Sequence, residues 1–332
     1  MKDSISPNTV RELAYGFQSS RILLTAYELS VFTALDDAKK SSGEVAAAIG
    51  TDPRATDRLM NALCAMDLLV KKNGRFLNAP IAARYLVSGK PDFMAGLMHT
   101  AHLWTTWATL TDAVRAGSAV AIKRSVNKRG DVWLSAFIAA MHDRASKQAS
   151  GIVSRMDLSG VSRVLDVGGG SGAFAMAFAE ANRGITATVF DLPNVIPLTK
   201  KYVKQSFRAF HRVKFRTGDY LIDDLGKDFD LVFLSAIVHS NSMNENRNLI
   251  KKCSTALRRH GQVVIQDFIM NKDRTSPTHG AFFALNMLVG TKSGDTYSES
   301  EVRSWMEEAG LAEITRQDTP YGTTQIIGKR ID

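Results

Sequence analysis

The chain has 332 residues, of which 45% are hydrophobic and 23% charged, with a mean hydropathy of −0.10. This composition excludes a dominantly disordered, collagen-like or low-complexity chain and leaves room for two domains, each with its own core. The net charge of +9 raises nucleic acid as a partner, but the excess is spread along the chain. Its one dense run, Lys123-Arg124 with Lys128-Arg129, reads as a solvated loop.

No stretch approaches the roughly 18 apolar residues a membrane helix needs. Met1-Lys2-Asp3-Ser4 lacks the apolar run of a signal peptide. Cys64 and Cys253 lie in different halves and form no disulfide framework, so they read as reduced thiols of a cytoplasmic protein without a membrane partner.

Between Thr9 and Leu35 apolar residues recur at mostly helical spacing, including Val10, Leu13, Phe17, Leu24, Tyr27, Val31 and Phe32. The run predicts one or two helices buried against a partner surface such as another subunit. Ser42-Gly43-Glu44 opens a short helix over 45–49, stopped by Gly50. Asp52 as N-cap and Pro53 at the first position open another, to about Leu69. Asn73-Gly74 between two short apolar runs predicts a hairpin. Helix, turn, helix and hairpin read as a winged helix. A DNA-reading helix needs basic and amide side chains outside. Only Arg54, Arg58 and Asn61 qualify, against Leu59, Met60, Leu63, Met66, Leu68 and Leu69, so a structural or dimerising role is the better reading.

Residues 92–156 are helical and aromatic, with His99, His102, Trp104, Trp107, Trp133, Phe137 and Met141. Such a stripe is more often core than pocket. From Val161 short β-branched runs at 163–167, 187–190, 213–216, 231–234 and 262–268 alternate with helical segments. They predict an α/β domain with a mainly parallel sheet.

The sharpest motif is Leu165-Asp166-Val167-Gly168-Gly169-Gly170-Ser171-Gly172, running from a strand into a helix. Its glycines let the backbone approach a ligand at the C-terminal edge of the sheet, as dinucleotide-binding loops also do. Asp166 before the glycines is no part of the dinucleotide fingerprint. Asp191 ends the second strand in Phe190-Asp191-Leu192-Pro193, where a carboxylate suits a ribose diol. Gly218-Asp219-Tyr220 follows the third strand and offers a carboxylate and a ring to an adenine.

These three motifs, in this order and spacing, resemble those of S-adenosylmethionine (SAM)-dependent small-molecule O-methyltransferases, the group of caffeate and hydroxyindole enzymes and bacterial tailoring relatives. The resemblance spans nearly the whole chain. It implies a winged-helix dimerisation domain at 1–90, a helical linker at 91–157 contributing to the acceptor pocket, and a Rossmann-like SAM-binding domain at 158–332. It implies SAM as cofactor, S-adenosylhomocysteine (SAH) as product, a homodimer, and cofactor contacts from Asp166, Gly168, Gly170, Asp191, Asp219, Tyr220 and Ser235, the last standing where plant members have lysine. A sulfonium cation without phosphate suits three carboxylates better than a pyrophosphate does.

In that family a histidine after the fourth strand is the general base, and His239 holds this position. An imidazole of unperturbed pKa near 6.5 suits the task. Asp267 falls on one of the two acids that bracket it, and the second lands on or beside Asp295. Ser240-Asn241 replaces the family's Asp-Trp. Phe137 and Met141 match one wall of the acceptor pocket, and Asn286 and Met287 the other. No metal is implied. The leading expectation is methyl transfer to a hydroxyl, phenolic in the first instance, of a small aromatic molecule. The alternatives are a SAM enzyme of the same fold acting on N, C or S or without methyl transfer, and a ligand-sensing winged-helix DNA-binding protein.

Overall fold

A computed structural model describes residues 6–120 and 130–331, and the basic run Lys123-Arg124 with Lys128-Arg129 lies outside them. The chain divides into two compact units, Met1–Leu103 and Trp104–Asp332.

The first unit contains α1 (Pro7–Tyr15), α2 (Phe17–Glu28), α3 (Val31–Leu35), α4 (Ser42–Ile49), α5 (Pro53–Ala65), β1 (Leu69–Lys72), β2 (Arg75–Asn78) and α6 (Pro80–Tyr85), and α7 (Leu97–Trp107) holds the boundary. Ser41 and Glu44 form a reciprocal capping box, so α4 begins three residues before its predicted apolar run. The Asp52 carboxylate accepts from Ala55 N–H at 2.7 Å, with Pro53 at the first position of α5. That helix ends at Ala65 because Asp67 turns the chain with φ 56°. Asn73 and Gly74, at φ 52° and 74°, make the tight turn that pairs β1 antiparallel with β2. Phe32, Leu35, Met60, Leu63 and Phe76 form the core. α1 buries none of its residues, and Leu13 is 79% exposed.

The second unit continues with α8 (Leu110–Ala116), α9 (Asp131–Val153), β3 (Arg163–Val167), α10 (Ala173–Ala181), β4 (Thr186–Asp191), α11 (Ile196–Ser206), β5 (Val213–Thr217) and β6 (Phe229–Ser235). α12 (Met243–Ala256), β7 (Leu257–Asp267), α13 (Thr278–Gly290), α14 (Glu299–Glu308), β8 (Leu311–Asp318) and β9 (Thr324–Arg330) complete it. The sheet order is β5-β4-β3-β6-β7-β9-β8. All five predicted strands form and run parallel, while β9 and β8, not predicted, add antiparallel at one edge.

Strands covered on both faces need continuous apolar runs. Accordingly β6 is buried from Phe229 to Leu234, and α10 buries seven residues from Ala173 to Ala179. The chain leaves β3 toward β4 and β5, then crosses to β6 on the other side. Such a reversal opens a crevice at the C-terminal strand ends. Asp166, Asp191, Ser235 and Asp267 all stand at that edge. No helix among the described residues is long and apolar enough to cross a membrane.

Candidate active site

The glycine loop leaves β3 with Gly168 at φ 65° and Gly170 at φ 55°, backbone that side chains rarely adopt. A Cβ on Gly168 would collide with the Ile237 side chain and come within 3.7 Å of the Tyr220 ring. The loop is thus a cradle kept open by missing side chains.

Asp166 lies beneath it, 1% exposed, accepting from Ala175 N–H at 3.2 Å. Burial and the neighbouring Asp191 raise its carboxyl to about 7. Asp191 accepts from Gly170 N–H at 2.8 Å and from Leu192 N–H at 2.7 Å, one bond on each oxygen. Burial raises it to about 6, against the pull of those two N–H groups. Each oxygen keeps a free lone pair, enough to accept from two hydroxyls of a diol.

Asp219 is half-buried and caps its own turn, accepting from Leu221 N–H at 2.9 Å. Tyr220 donates its hydroxyl to Asn241 Oδ1 at 3.2 Å, and burial pushes its phenol upward. Ser235, at the end of β6, accepts from Gln266 Nε2 at 3.1 Å.

Ala236, at φ 56°, turns the chain off β6 into a short 3-10 turn, Val238–Ser240. His239 there is 8% exposed and Asp267 3% exposed. His239 Nδ1 lies 2.8 Å from Asp267 Oδ1 and 3.0 Å from Oδ2, and its backbone N–H reaches Oδ2 at 3.4 Å. A carboxylate can only accept, so it assigns the ring proton to Nδ1 and leaves the Nε2 lone pair free. An imidazole so arranged can take a proton.

The Asp295 side chain does not join this pair. It accepts from Arg274 Nη1 at 3.0 Å, while its backbone N–H donates to the His239 carbonyl at 3.0 Å.

On α9, Phe137 stacks on Trp133 at 5.2 Å, and Met141 follows one turn later, half-buried. On α13, Asn286 Oδ1 accepts from Trp107 Nε1 at 2.9 Å, and Met287 is buried. Sequence reasoning missed Phe283, whose ring meets His239 edge-on at 4.8 Å. Its spacing from Asn286 and Met287, three and four residues, was the available signal. It also missed His142, whose Nδ1 lies 2.9 Å from Ser171 Oγ of the glycine loop, and Gly294, where a Cβ would strike the His239 carbonyl. Among the described residues no group of three or more His, Cys, Asp or Glu could hold a metal ion.

Comparison with known proteins bears on this arrangement. An O-methyltransferase domain family matches residues 107–312, and an O-methyltransferase dimerisation domain family matches 11–88. The 3-hydroxy-5-methyl-1-naphthoate 3-O-methyltransferase of Streptomyces sahachiroi is 31% identical over 93% of the chain and 90% of its own length. The N,N-dimethyltransferase OxyT of Streptomyces rimosus is 29% identical over 95% of the chain and 94% of its own. A solved structure of PigF with SAH superposes with a TM-score of 0.90 at 24% identity, over 98% of this chain and 100% of that one.

Proposed function

The chain belongs to the O-methyltransferase family, as a SAM-dependent enzyme, and from that premise we propose that it methylates a phenolic hydroxyl of a small aromatic molecule with His239 as general base. The observation that carries the proposal is the buried His239–Asp267 pair at 2.8 Å, at the same sheet edge as the glycine loop.

Bound SAM supplies a methyl group made electrophilic by its sulfonium. The open loop at Gly168 and Gly170 admits its methionyl part, Asp191 accepts from the ribose hydroxyls, and Asp219 and Tyr220 face the adenine. Asp166 shapes the loop from below through Ala175, and Ser235 lines the crevice beside it. The cradle a Cβ would fill and the free lone pairs of Asp191 both suit such a ligand.

Phe137, Met141, Asn286 and Met287 orient the acceptor ring, since thioether and aromatic faces suit a flat partner. Asp267 holds His239 in the tautomer whose Nε2 accepts the hydroxyl proton. The rest of the rate comes from aligning the two bound partners. The naphthoate-methylating relative, whose acceptor is a hydroxylated aromatic ring, supports this class of acceptor.

We assign residues 1–90 to dimerisation, 91–157 to the acceptor pocket and 158–332 to SAM binding. The exposed Val10, Leu13, Tyr15 and Phe17 supply an apolar surface for a second copy of the chain. Transfer to nitrogen is a second reading, favoured by the dimethyltransferase relative.

Labelled SAM offered with naphthol and with the corresponding naphthylamine separates the two. A methyl ether is expected, and methylation of the amine alone would favour nitrogen.

A further inference from the structure

Arg144 stands on α9, three residues after Met141 and seven after Phe137, on the face that those two residues share. It is half-buried, with its guanidinium 4.9 Å from the centre of the Phe268 ring. Phe268 packs against Phe283 at 4.9 Å, and Phe283 meets His239 at 4.8 Å. The cation therefore sits at one end of the aromatic cluster that backs the base.

It makes no hydrogen bond and no ion pair within 4 Å among the described residues, although a guanidinium carries five donors. Burial opposes its charge and the field of Asp267 supports it. Asp267 acts on it only through its field: that carboxylate accepts from His239 and from Phe268 N–H, the latter at 2.8 Å, and forms no ion pair with Arg144. A partly desolvated guanidinium whose donors find no protein partner is suited to an anion, which would repay its lost hydration. Its planar fork fits a carboxylate bidentately.

We propose that Arg144 is the anion-binding residue of the acceptor site and selects aromatic hydroxy acids, holding the carboxylate while the hydroxyl faces His239. This inference rests on the reading of the acceptor site given above. It uses a ring held by Phe137 and Met141 on one helix face, with the charged group anchored one turn further along. The chain's net charge of +9 acts in the same direction, drawing anions toward the protein.

The test is binding of hydroxynaphthoate and of naphthol, the same ring with and without a carboxylate, measured by calorimetry in the presence of SAH. Wild type, Arg144→Gln, Arg144→Met and Arg144→Lys are compared, with SAH affinity reporting that each variant is folded. Wild type should bind the acid at least roughly tenfold more tightly, the scale of a charge-assisted pair. Glutamine and methionine should bring the two ligands to near parity, and lysine, a point charge without the fork, should keep part of the preference.

A preference that survives in the glutamine and methionine variants, or a wild type without one, would overturn the proposal. Methyl transfer to hydroxyls without any preference for the acid would remove Arg144's role and leave the O-methyltransferase reading standing. An intact Arg144-dependent preference with no methyl transfer to any hydroxyl would do the reverse.

Discussion

Tyr220 donates its hydroxyl to Asn241 Oδ1 at 3.2 Å, which ties the loop after β5 to the turn that carries His239. Asn241 is 3% exposed, donates to Asn246 Oδ1 at 3.1 Å, and gives its carbonyl to the Tyr297 hydroxyl at 2.5 Å. Asn246 in turn donates to the Val238 carbonyl at 2.8 Å. Asn241 is therefore the centre of a buried polar network. Asn241→Ala keeps the carbonyl that Tyr297 uses but removes the side-chain partner of the Tyr220 hydroxyl and of Asn246 Oδ1, and should cost about 1–3 kcal/mol of stability. Denaturant midpoints would measure that loss, and SAH affinity should fall several-fold as Tyr220 loosens.

Gly168→Ala tests the cradle. The residue sits at φ 65°, where a side chain costs about 1–2 kcal/mol, and the added methyl would collide with Ile237. SAH affinity should fall tenfold or more by calorimetry while circular dichroism stays native.

Gly294→Ala tests the support behind the base. The new methyl would strike the His239 carbonyl and approach Thr291 Oγ1 to 2.7 Å. Displacing the turn by about 1 Å misaligns the proton acceptor, so kcat should fall on the order of 10- to 100-fold. SAH affinity, which the proposed cofactor site assigns to the loops after β3, β4 and β5, should move far less.

Asp166 and Asp191 make the ligand-free protein sensitive to pH. Both carboxyls are raised in the fold, to about 7 and about 6, from an ordinary value of 3.8. Between about pH 4 and 7 the folded state thus holds protons that the unfolded state has released. Stability is fullest below pH 4 on this account and declines as pH rises through the folded values. Asp166→Asn should flatten that decline, raising stability at pH 8 relative to pH 5 by at least about 1 kcal/mol. Chemical denaturation at the two pH values reads it directly.

What was legible in the sequence is what local chemistry dictates. Asp52-Pro53 starts a helix, Asn73-Gly74 turns a hairpin, and the glycines at 168 and 170 take left-handed backbone, each because few other residues can. Strand β8 was hidden because its alternation breaks at Glu313, at φ 49°, where the register with β9 shifts between Ala312 and Thr315. Asp295 was a candidate second acid, but Arg274 holds its carboxylate and only its backbone reaches His239. Arg144 and Phe283 acquire meaning only once the fold brings α9 against Phe268 and α13 against His239.

The account stands most directly on His239. The measurement is the single-turnover rate of methyl transfer to a phenolic acceptor, with SAH affinity measured in parallel, for wild type and His239→Ala. Loss of the base should slow transfer roughly 10²- to 10⁴-fold with SAH affinity unchanged. A variant that transfers methyl at the wild-type rate would contradict the assignment of His239 as the base.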